Sequence, residues 1–437
     1  MSDLAAAWPA GLPFVCLSQG GRFQIVPTHF REVTWSELAA VSVVKPSLDG
    51  EPMHHGYVGV ISYDQYADDQ TCWPNDAASM AKSRILSVDS ALVYDRTESV
   101  LYVPRQTETR HPGDTWVDAG AVAERLTVQA DPSEPHCPSL DLEATSPDGA
   151  YEAQVDRVIS DIQAGRYYQL NLLRYFRFSK QLSRGDLLRR MDLCGGAMSC
   201  YFELPDLTLL SLSPERFITI RSGLRGAKIG AFPIKGTAPR HDGDLQADRR
   251  AASTLRDSAK DRAELAMIVD LMRNDLNQIC QPGTVQVRHH ASLMAARGVH
   301  HLYSEIEGNL ALPLSWGQLL GKLCPAGSIT GAPKREVMQA IAQYEGRKRG
   351  YFMGHAFTLD QNGNFDSSVL IRTLVRHDHD YFEYAAGSGL VIGSDAVAER
   401  LEIAAKCRVA TNSAKRENGS IYKSRSQGLE HGYQENL

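Results

Sequence analysis

The chain has 437 residues, of which 43% are hydrophobic, enough to bury one large core or two lobes. Its 46 basic and 52 acidic residues give a formal net charge of −6, and no basic segment indicates a nucleic-acid partner. The 8 cysteines form no Cys-x-x-Cys pair, which argues against a zinc site or a disulfide framework, so we expect reduced thiols and a cytoplasmic protein.

Four regions follow one another along the chain. Residues 1–130 predict a β-rich N-terminal region of short strands and turns, with no signal peptide and no apolar run of the ~18 residues that a membrane span needs. Residues 131–147 are rich in proline, serine and aspartate, as in a linker. Residues 148–412 predict a second, larger domain, and the polar residues 413–437 predict a disordered tail.

The second domain alternates between predicted helices and strands. Val155, Ile159 and Ile162 recur at helical spacing after the linker, and residues 167–178 predict a strand. Further strands with glycine-bearing turns continue to about residue 240. Residues 261–276, 333–344 and 395–409 then predict three helices. Separate helices mixed with runs of strands indicate an α+β fold.

Two of the predicted helices carry carboxylates that could share a cation. The helix over 261–276 is apolar nearly all round, yet it contains Glu264, and a buried carboxylate needs a cation or a hydrogen-bond donor. The last helix places Glu399, Glu402 and Lys406 at i, i+3 and i+7, on one face. Mg²⁺ prefers such oxygen ligands. The alternative is that these glutamates form ordinary solvated salt bridges.

Two small-residue loops and one lysine could bind or react with a ligand. The loop 387–389 (GSG) follows an apolar strand and the loop 325–334 (PAGSITGAPK) leads into a helix, so backbone N–H groups of either could hold a carboxylate. Such loops are also common without a ligand. Lys235, near an apolar strand end, either extends its amine to solvent or keeps it desolvated, which would lower its pKa and leave a nucleophilic amine.

Together these segments resemble the chorismate-utilising family, which includes anthranilate, aminodeoxychorismate, isochorismate and salicylate synthases. The matching motifs occur in the family's order across about residues 150–410. They are Tyr168-Gln169-Leu170-Asn171-Leu172, Ser213-Pro214-Glu215-Arg216-Phe217, Pro233-Ile234-Lys235-Gly236-Thr237, Asp261-Arg262-Ala263-Glu264, Asp270-Leu271-Met272-Arg273-Asn274-Asp275-Leu276, Val299-His300-His301-Leu302, Gly327-Ser328-Ile329-Thr330-Gly331-Ala332-Pro333-Lys334, Ile371-Arg372-Thr373-Leu374, Gly387-Ser388-Gly389 and Ala398-Glu399-Arg400-Leu401-Glu402.

This resemblance implies two α/β lobes around a central β-sandwich with surrounding helices, and chorismate bound at the centre. Residues 148–412 would then be the catalytic domain. Mg²⁺ would be held by Glu264 and Glu402, with Glu399 nearby, against the ring carboxylate of chorismate. Arg372 would bind the enolpyruvyl carboxylate, and Glu215 would be the general acid that protonates the departing 4-hydroxyl.

The resemblance also implies further substrate contacts and a second proton-handling group. The expected substrate-binding residues besides Arg372 are Gln169, Gly236, Thr237, Thr330, Gly387, Ser388, Gly389 and Lys406. His301 is expected to transfer or orient a proton, the alternative being a packed, hydrogen-bonded histidine. His300 beside it is expected to be structural.

Two positions distinguish the reactions of the family. Isochorismate and salicylate synthases have a water-activating lysine at the position of Gln169. Glutamine cannot act as a base, so in this respect the chain is similar to the ammonia-using members of the family. Anthranilate synthases usually have alanine where this chain has Lys235, and a lysine there resembles aminodeoxychorismate synthase. The resemblance therefore implies a catalytic Lys235 that attacks ring C2. Ammonia then attacks C4, giving 4-amino-4-deoxychorismate for p-aminobenzoate and folate biosynthesis.

Ammonia needs a source, and no glutamine amidotransferase module is evident in the sequence. No cysteine lies in a glycine-rich turn with a matching downstream histidine and glutamate. We therefore expect a separate glutamine amidotransferase subunit, as is usual in the family. The nearest rival interpretation is anthranilate synthase component I, and a rival of another class is a non-catalytic, regulatory paralogue.

Two segments depart from the family pattern. His355 stands where a small residue is usual, close to Phe352, so we expect a reshaped pocket wall. Residues 16–19 (CLSQ) stand where the family has a Leu-Leu-Glu-Ser-like element, so feedback inhibition by tryptophan is not expected.

Overall fold

The structure is a computed structural model. It describes residues 7–9, 11–19, 22–41, 56–67, 83–97, 100–103, 115–122, 136–137, 139–179, 181–223, 226–241, 243–296, 299–377, 380–411 and 414–415. The helices within these ranges are α1 (Trp35–Ala40), α2 (Asp64–Ala67), α3 (Asp148–Gln163), α4 (Arg184–Cys194), α5 (Leu245–Asp257), α6 (Ala259–Asn277), α7 (Trp316–Leu323), α8 (Lys334–Glu345) and α9 (Ala396–Thr411).

The strands alternate with these helices along the chain. They are β1 (Phe14–Gln19), β2 (Phe23–Val33), β3 (Gly56–Ile61), β4 (Arg84–Asp95), β5 (Val100–Tyr102), β6 (Thr115–Trp116), β7 (His136–Cys137), β8 (Glu143–Ala144), β9 (Gln169–Phe178), β10 (Cys200–Leu204), β11 (Leu207–Ser211), β12 (Arg216–Gly223), β13 (Gly226–Ala231), β14 (Ile234–Pro239), β15 (Gln286–Ala296), β16 (Val299–Asn309), β17 (Gly331–Ala332), β18 (His355–Asp360), β19 (Phe365–Val369), β20 (Thr373–Arg376), β21 (Phe382–Leu390) and β22 (Ala414–Lys415).

The helices predicted over residues 261–276, 333–344 and 395–409 are found as α6, α8 and α9, within one or two residues of their predicted ends. In contrast, α5 is not among the predicted helices. Its polar sequence buries only Leu255, and it begins where the Asp244 side chain accepts hydrogen bonds from the backbone N–H groups of Gln246 and Ala247. This helix is polar on average and buries a single side chain, and it was not identified from the sequence.

Antiparallel pairing joins the N-terminal region to the rest of the chain. Twenty described strands form one hydrogen-bonded network, and β7 pairs separately with β22. In the network, β1 pairs with β10 and β3 pairs with β18, so residues 1–130 and 148–412 share backbone hydrogen bonds. The mixture of helices and strands confirms the predicted α+β class, whereas the two lobes and the central β-sandwich stay predictions.

The predicted linker and tail are described only in part. Residues 131–135 and 138, and residues 412, 413 and 416–437, lie outside the described residues. Within 131–147, β8 pairs with β9 and β7 pairs with β22. The proposed domain boundaries stay predictions. None of the described helices is long and apolar enough to cross a membrane.

Strand β9 lies between two hydrophobic cores. Leu173 and Tyr175 belong to the first core, which also contains the buried face of α6. Leu170, Leu172 and Phe176 belong to the second, with α3 and α9. This division follows the alternation of side chains along a strand. It directs the odd-numbered side chains of β9 toward the first core.

A fully buried ion pair between Arg349 and Glu345 fixes β9 to its surroundings. The two side chains are 0% exposed and their closest N–O distance is 2.6 Å. Arg349 also donates to the carbonyls of Ile329 at 3.0 Å and Asn171 at 2.7 Å. Glu345 accepts from the Tyr175 hydroxyl at 2.7 Å. Hydrogen bonds to β9 and to the loop before β17 thus satisfy the polar atoms of both buried side chains.

The same ion pair reaches the N-terminal region. The Arg349 guanidinium lies 4.8 Å from the centre of the Tyr63 ring, within cation–π range. The Asp64 carboxylate accepts from the backbone N–H groups of Arg349 at 3.3 Å and Gly350 at 2.9 Å. One short segment therefore connects β9, the loop before β17 and the start of α2.

We expect Arg349→Met to lower the free energy of unfolding by about 3–5 kcal/mol, because it leaves the Glu345 carboxylate buried without a counter-ion. Urea denaturation at pH 7 measures this change. Arg31→Met is the matched control, since Arg31 pairs with Glu37 while both side chains are about half exposed, and its stability should stay within experimental error. Equal losses in the two variants would contradict the central role of the buried pair.

Candidate active site

Lys235 approaches the paired ends of β9 and β21. A Cβ atom built on Gly389 would lie 3.0 Å from Gln169 Nε2 and 3.7 Å from Lys235 Nζ, so these groups meet over the glycine. Gln169 begins β9, Gly389 lies in β21, and Lys235 comes from β14. The pairing of β14 with β16 shifts register between Lys235 and Thr237, and Gly236 between them has φ +67°. This irregularity sets the direction of the lysine. We call Gln169, Glu215, Lys235 and Gly389 the lysine cluster.

Burial moves both titratable groups of the lysine cluster toward their neutral forms. It lowers the pKa of Lys235, helped by the positive charge of Lys406 and opposed by Glu215, Glu264 and Glu402. Burial raises the pKa of Glu215, opposed mainly by Lys235. The lysine cluster thus combines an amine whose protonated form is disfavoured by burial with a carboxyl group whose ionised form is disfavoured by burial.

Hydrogen bonds hold Glu215 at the entrance to β12. Its backbone N–H donates to Ser213 Oγ at 3.2 Å, and its carbonyl accepts from the N–H of Val369 at 3.2 Å. Its carboxylate accepts from the Ser328 hydroxyl at 3.3 Å. Next in sequence, Arg216 donates twice to Asp366, each time at 2.9 Å. Sequence reasoning missed Ser328 as a partner of the acid, although it singled out the small-residue loop that contains it.

Glu264 and Glu402 are electrostatically coupled across α6 and α9. Burial is the main cause that raises the pKa of Glu264, and the negative charge of Glu402 adds to it. Burial acts on Glu402 in the same sense, but Lys406, with its Nζ 2.7 Å from Glu402 Oε1, outweighs it and lowers the pKa. Lys260 lies 3.9 Å from Glu264. Both carboxylates remain partly exposed.

Glu399 has different surroundings from the other two predicted metal ligands. It is buried and accepts hydrogen bonds from the hydroxyls of Ser388 and Ser394, the latter at 2.7 Å. These bonds fasten β21 to α9. Within the part of the chain that the structure describes, no three or more His, Cys, Asp or Glu side chains are grouped so as to hold a metal ion. Of the three predicted metal ligands, Glu264 and Glu402 are the two whose side chains remain partly exposed.

Arg372 is a cation without an acidic partner. Its backbone has φ +52°, unusual for a residue other than glycine, and its carbonyl accepts from the Leu212 N–H at 3.1 Å. Its guanidinium makes no hydrogen bond or ion pair with any described residue. Burial lowers its pKa, and the charge of Glu215 opposes this. A guanidinium without a direct partner among the described residues is suited to bind an anionic ligand.

The predicted glycine-turn and lysine contacts lie together on β21. Lys406 Nζ donates to the Gly387 carbonyl at 2.8 Å while it contacts Glu402. The Ser388 hydroxyl, between the two glycines, donates a hydrogen bond to the Glu399 carboxylate. Thr330 is buried, and its hydroxyl donates to the Ala326 carbonyl at 2.9 Å, so that hydroxyl already has a protein partner.

His301 is held beside Gly236 and Thr237. Its Nδ1 lies 3.2 Å from the Gly236 carbonyl and 3.1 Å from Thr237 Oγ1. Because a carbonyl only accepts, Nδ1 carries the hydrogen, and Nε2 is left as the basic nitrogen. Burial lowers the pKa of His301, which keeps the ring neutral. The neighbouring His300 contacts Asp248 at 2.9 Å, as a structural residue does.

His355 lies in the core behind Glu215 and not among the groups named above. Its ring stacks on Phe217 at 4.4 Å, and its Nδ1 lies 3.3 Å from the Ser368 carbonyl. Burial lowers its pKa to about 3. Phe352 packs edge-on against Tyr175. Any effect of His355 on the site therefore passes through the strand that follows Glu215.

The family model of the chorismate binding enzymes matches residues 17–412. Anthranilate synthase component 1 1 of Haloarcula marismortui is 31% identical over 420 residues, which cover 90% of this chain and 84% of that protein. Aminodeoxychorismate synthase component 1 of Salmonella typhimurium is 38% identical over 253 residues, and that of Escherichia coli is 36% identical over 275 residues. The matches cover 58% and 63% of this chain, and only 54% and 59% of those two relatives.

Solved structures show the same fold. Anthranilate synthase component I from Streptococcus pneumoniae matches with a TM-score of 0.73 at 22% identity, over 89% of this chain and 92% of that one. An isochorismate synthase from Bacillus anthracis matches with a TM-score of 0.67 at 21% identity, over 94% of this chain and 98% of that one. At 21–22% sequence identity, these matches establish the fold and not the reaction. Together with the family match across residues 17–412, they lead to one conclusion: the chain belongs to the chorismate binding enzymes.

Proposed function

We propose that this chain aminates chorismate at C4 and releases 4-amino-4-deoxychorismate, a precursor of p-aminobenzoate and folate. The observation that carries the proposal is the amine of Lys235, which lies with Gln169 over Gly389 and has a lowered pKa. A neutral lysine can act as a nucleophile, and a glutamine cannot activate water. The relatives named aminodeoxychorismate synthase component 1 support the same activity.

In the first step, the Lys235 amine forms a bond to ring C2. The ring double bonds shift from C1–C2 and C5–C6 to C1–C6 and C4–C5, and the C4–O bond breaks. Glu215 gives its proton to the departing hydroxyl, which leaves as water. The raised pKa of Glu215 favours the protonated acid, and the lowered pKa of Lys235 favours the neutral amine.

In the second step, ammonia attacks C4 through its lone pair. The double bonds return to C1–C2 and C5–C6, the C2–N bond breaks, and Lys235 leaves as a neutral amine. The new C4 ammonium passes one proton to the Glu215 carboxylate, which restores the acid. The enolpyruvyl group is retained, so no pyruvate is released. The net reaction converts chorismate and ammonia to aminodeoxychorismate and water.

The proposed substrate contacts follow the charges of the site. The unpaired guanidinium of Arg372 would bind the enolpyruvyl carboxylate, and the backbone amides of 387–389 would support it. Gly236 and Thr237 would line the ring, with Thr330 at the loop beside it. Lys406 already holds the Gly387 carbonyl and Glu402, so it would act at the edge of the bound substrate.

The donor set fits a magnesium ion. Burial raises the pKa of Glu264, the negative charges of Asp261 and Glu402 add to this, and a divalent cation would favour the ionised carboxylates. We propose these two carboxylates as its protein ligands. Glu399, bonded to Ser388 and Ser394, would position α9 beneath them. When bound, Mg²⁺ supplies positive charge against the ring carboxylate.

Ammonia would come from a separate glutamine amidotransferase subunit. The relatives are named aminodeoxychorismate synthase component 1, which implies a second component. The matched part of the chain spans between half and three fifths of the length of these relatives. We therefore propose the glutamine amidotransferase subunit as a partner of this chain.

Anthranilate synthesis is the second candidate, since the Haloarcula relative that carries this name aligns over most of its length. That reaction forms anthranilate and releases pyruvate. The position of Lys235 beside Gln169 favours the first candidate.

The purified chain, given chorismate, Mg²⁺ and ammonium, should form aminodeoxychorismate without pyruvate, as identified by mass spectrometry and a pyruvate assay. Lys235→Ala should abolish this activity, because it removes the nucleophile. Lys228→Ala, an exposed lysine of β13, should leave it unchanged. Anthranilate with pyruvate would establish the second candidate instead, and no consumption of chorismate, even with an added glutaminase subunit, would reject both.

The pH profile of kcat/KM should be bell-shaped when free ammonia is held constant. Activity rises with pH as Lys235 loses its proton, and this limb lies below the usual lysine range because the pKa is lowered. Activity falls as pH passes through the raised pKa of Glu215, which then loses the proton that it must donate. Glu215→Gln should remove the alkaline limb and reduce kcat by about 10²–10⁴-fold. An alkaline limb that persists in Glu215→Gln would assign the acid to another group.

Removing Mg²⁺ with EDTA should stop turnover, and Mn²⁺ used as a paramagnetic substitute should bind to the intact chain. Glu402→Gln should weaken Mn²⁺ binding, measured by electron paramagnetic resonance. Asp270→Asn, on the exposed side of the helix that carries Glu264, is the control and should bind Mn²⁺ normally. Unchanged Mn²⁺ affinity in Glu402→Gln would exclude that carboxylate as a ligand.

A further inference from the structure

Asn171 carries a buried side-chain oxygen without a hydrogen-bond partner. The residue is 6% exposed, and its Oδ1 accepts from no described group. Its backbone, in contrast, is fully used: the N–H donates to the Thr330 carbonyl at 2.7 Å, and the carbonyl accepts from Arg349 at 2.7 Å. The strand is therefore fixed in place while the carboxamide it carries is left unsatisfied.

The unsatisfied oxygen lies on the face of β9 that meets the lysine cluster. Residues 169 and 171 are two apart, so their side chains leave the same face of the strand. Asn171 pairs in register with Gly389, the glycine over which Gln169 and Lys235 meet. A Cβ atom built on Gly387 would lie 2.6 Å from Asn171 Oδ1, so a side chain at position 387 would displace the carboxamide.

The fold alone does not account for this asparagine. The next side chain on the same face, Leu173, is apolar and buried in the first core. A leucine at 171 would have similar size and no polar atom to bury. A buried acceptor left unsatisfied destabilises the fold, and a ligand that donates a hydrogen bond would offset this.

We propose that Asn171 binds the incoming ammonia, with its carboxamide oxygen accepting one ammonia N–H. The inference rests on the proposed amination of chorismate. A neutral acceptor suits this task, because ammonia must keep its lone pair for C4. A carboxylate would instead stabilise ammonium, which has no lone pair to donate. In the second step, the held ammonia bonds to C4 as the C2–N bond to Lys235 breaks, and its surplus proton goes to Glu215.

Asn171→Leu tests this assignment in the full-length chain with Mg²⁺ present. We expect the KM for free ammonia to rise about tenfold or more, as for the loss of one hydrogen bond of roughly 1.4 kcal/mol. The Kd of chorismate, measured by calorimetry without ammonia, should change less than about twofold. Thr208→Val is the control and should alter neither constant. It removes a buried hydroxyl from β11, a strand that carries none of the proposed site residues. If Asn171→Leu does not fold, Asn171→Ala should give the same pattern.

The outcomes separate this inference from the function on which it rests. The wild-type chain is assayed first, and failure to form any amino product from chorismate would remove both proposals together. If the wild type aminates chorismate and the variant keeps its ammonia KM, the assignment of Asn171 alone is rejected. A weaker chorismate Kd with unchanged ammonia KM would assign the carboxamide to chorismate and also reject it.

Discussion

The buried ion pair of Arg349 and Glu345 is the constraint on which the arrangement of the site depends. Two charges without exposure are stable only when hydrogen bonds satisfy them, and here those bonds come from β9, from the loop before β17 and from Tyr175. Since β9 carries Gln169 and the loop carries Ser328, the pair fixes groups that meet Lys235 and Glu215. Charges buried outside the lysine cluster therefore help to position it.

The site itself balances one buried lysine against several carboxylates. Glu215, Glu264 and Glu402 all act to keep Lys235 protonated, and burial prevails over them. A divalent cation between Glu264 and Glu402 would neutralise two of those charges and further favour the neutral amine. Metal binding and nucleophile activation are thus electrostatically linked in the proposed mechanism, without any contact between metal and lysine.

The sequence predicts much of the local structure and less of how the parts meet. The predicted ends of α6, α8 and α9 lie within one or two residues of the observed ends. Motif order indicates the family, which the comparisons confirm. The partners of buried charges could not be read in this way. Arg349 and Glu345 look like an ordinary helical pair at i, i+4, and only the packing of Tyr63 over them shows that they are buried.

The site residues were affected by the same limit. Glu399 and Glu402 are equivalent in a helical pattern, yet the structure gives the first to Ser388 and Ser394 and the second to Lys406. Which carboxylate is buried against β21 depends on the contact of that strand with α9, and sequence spacing does not indicate this contact. The hydrogen bond of Ser328 to Glu215 and the unsatisfied oxygen of Asn171 were not identified from the sequence. Both depend on contacts between residues that are far apart in the sequence.

The pairing of β1 with β10 and of β3 with β18 has a consequence for how this protein can be divided. A fragment cut at the predicted boundary before residue 148 would lose the partners of two interior strands. Their N–H and C=O groups would form new open edges, which recruit strands from other molecules and promote aggregation. The residues that would handle chorismate therefore do not form a portable module, and a fusion or a split of the chain must leave this shared sheet whole.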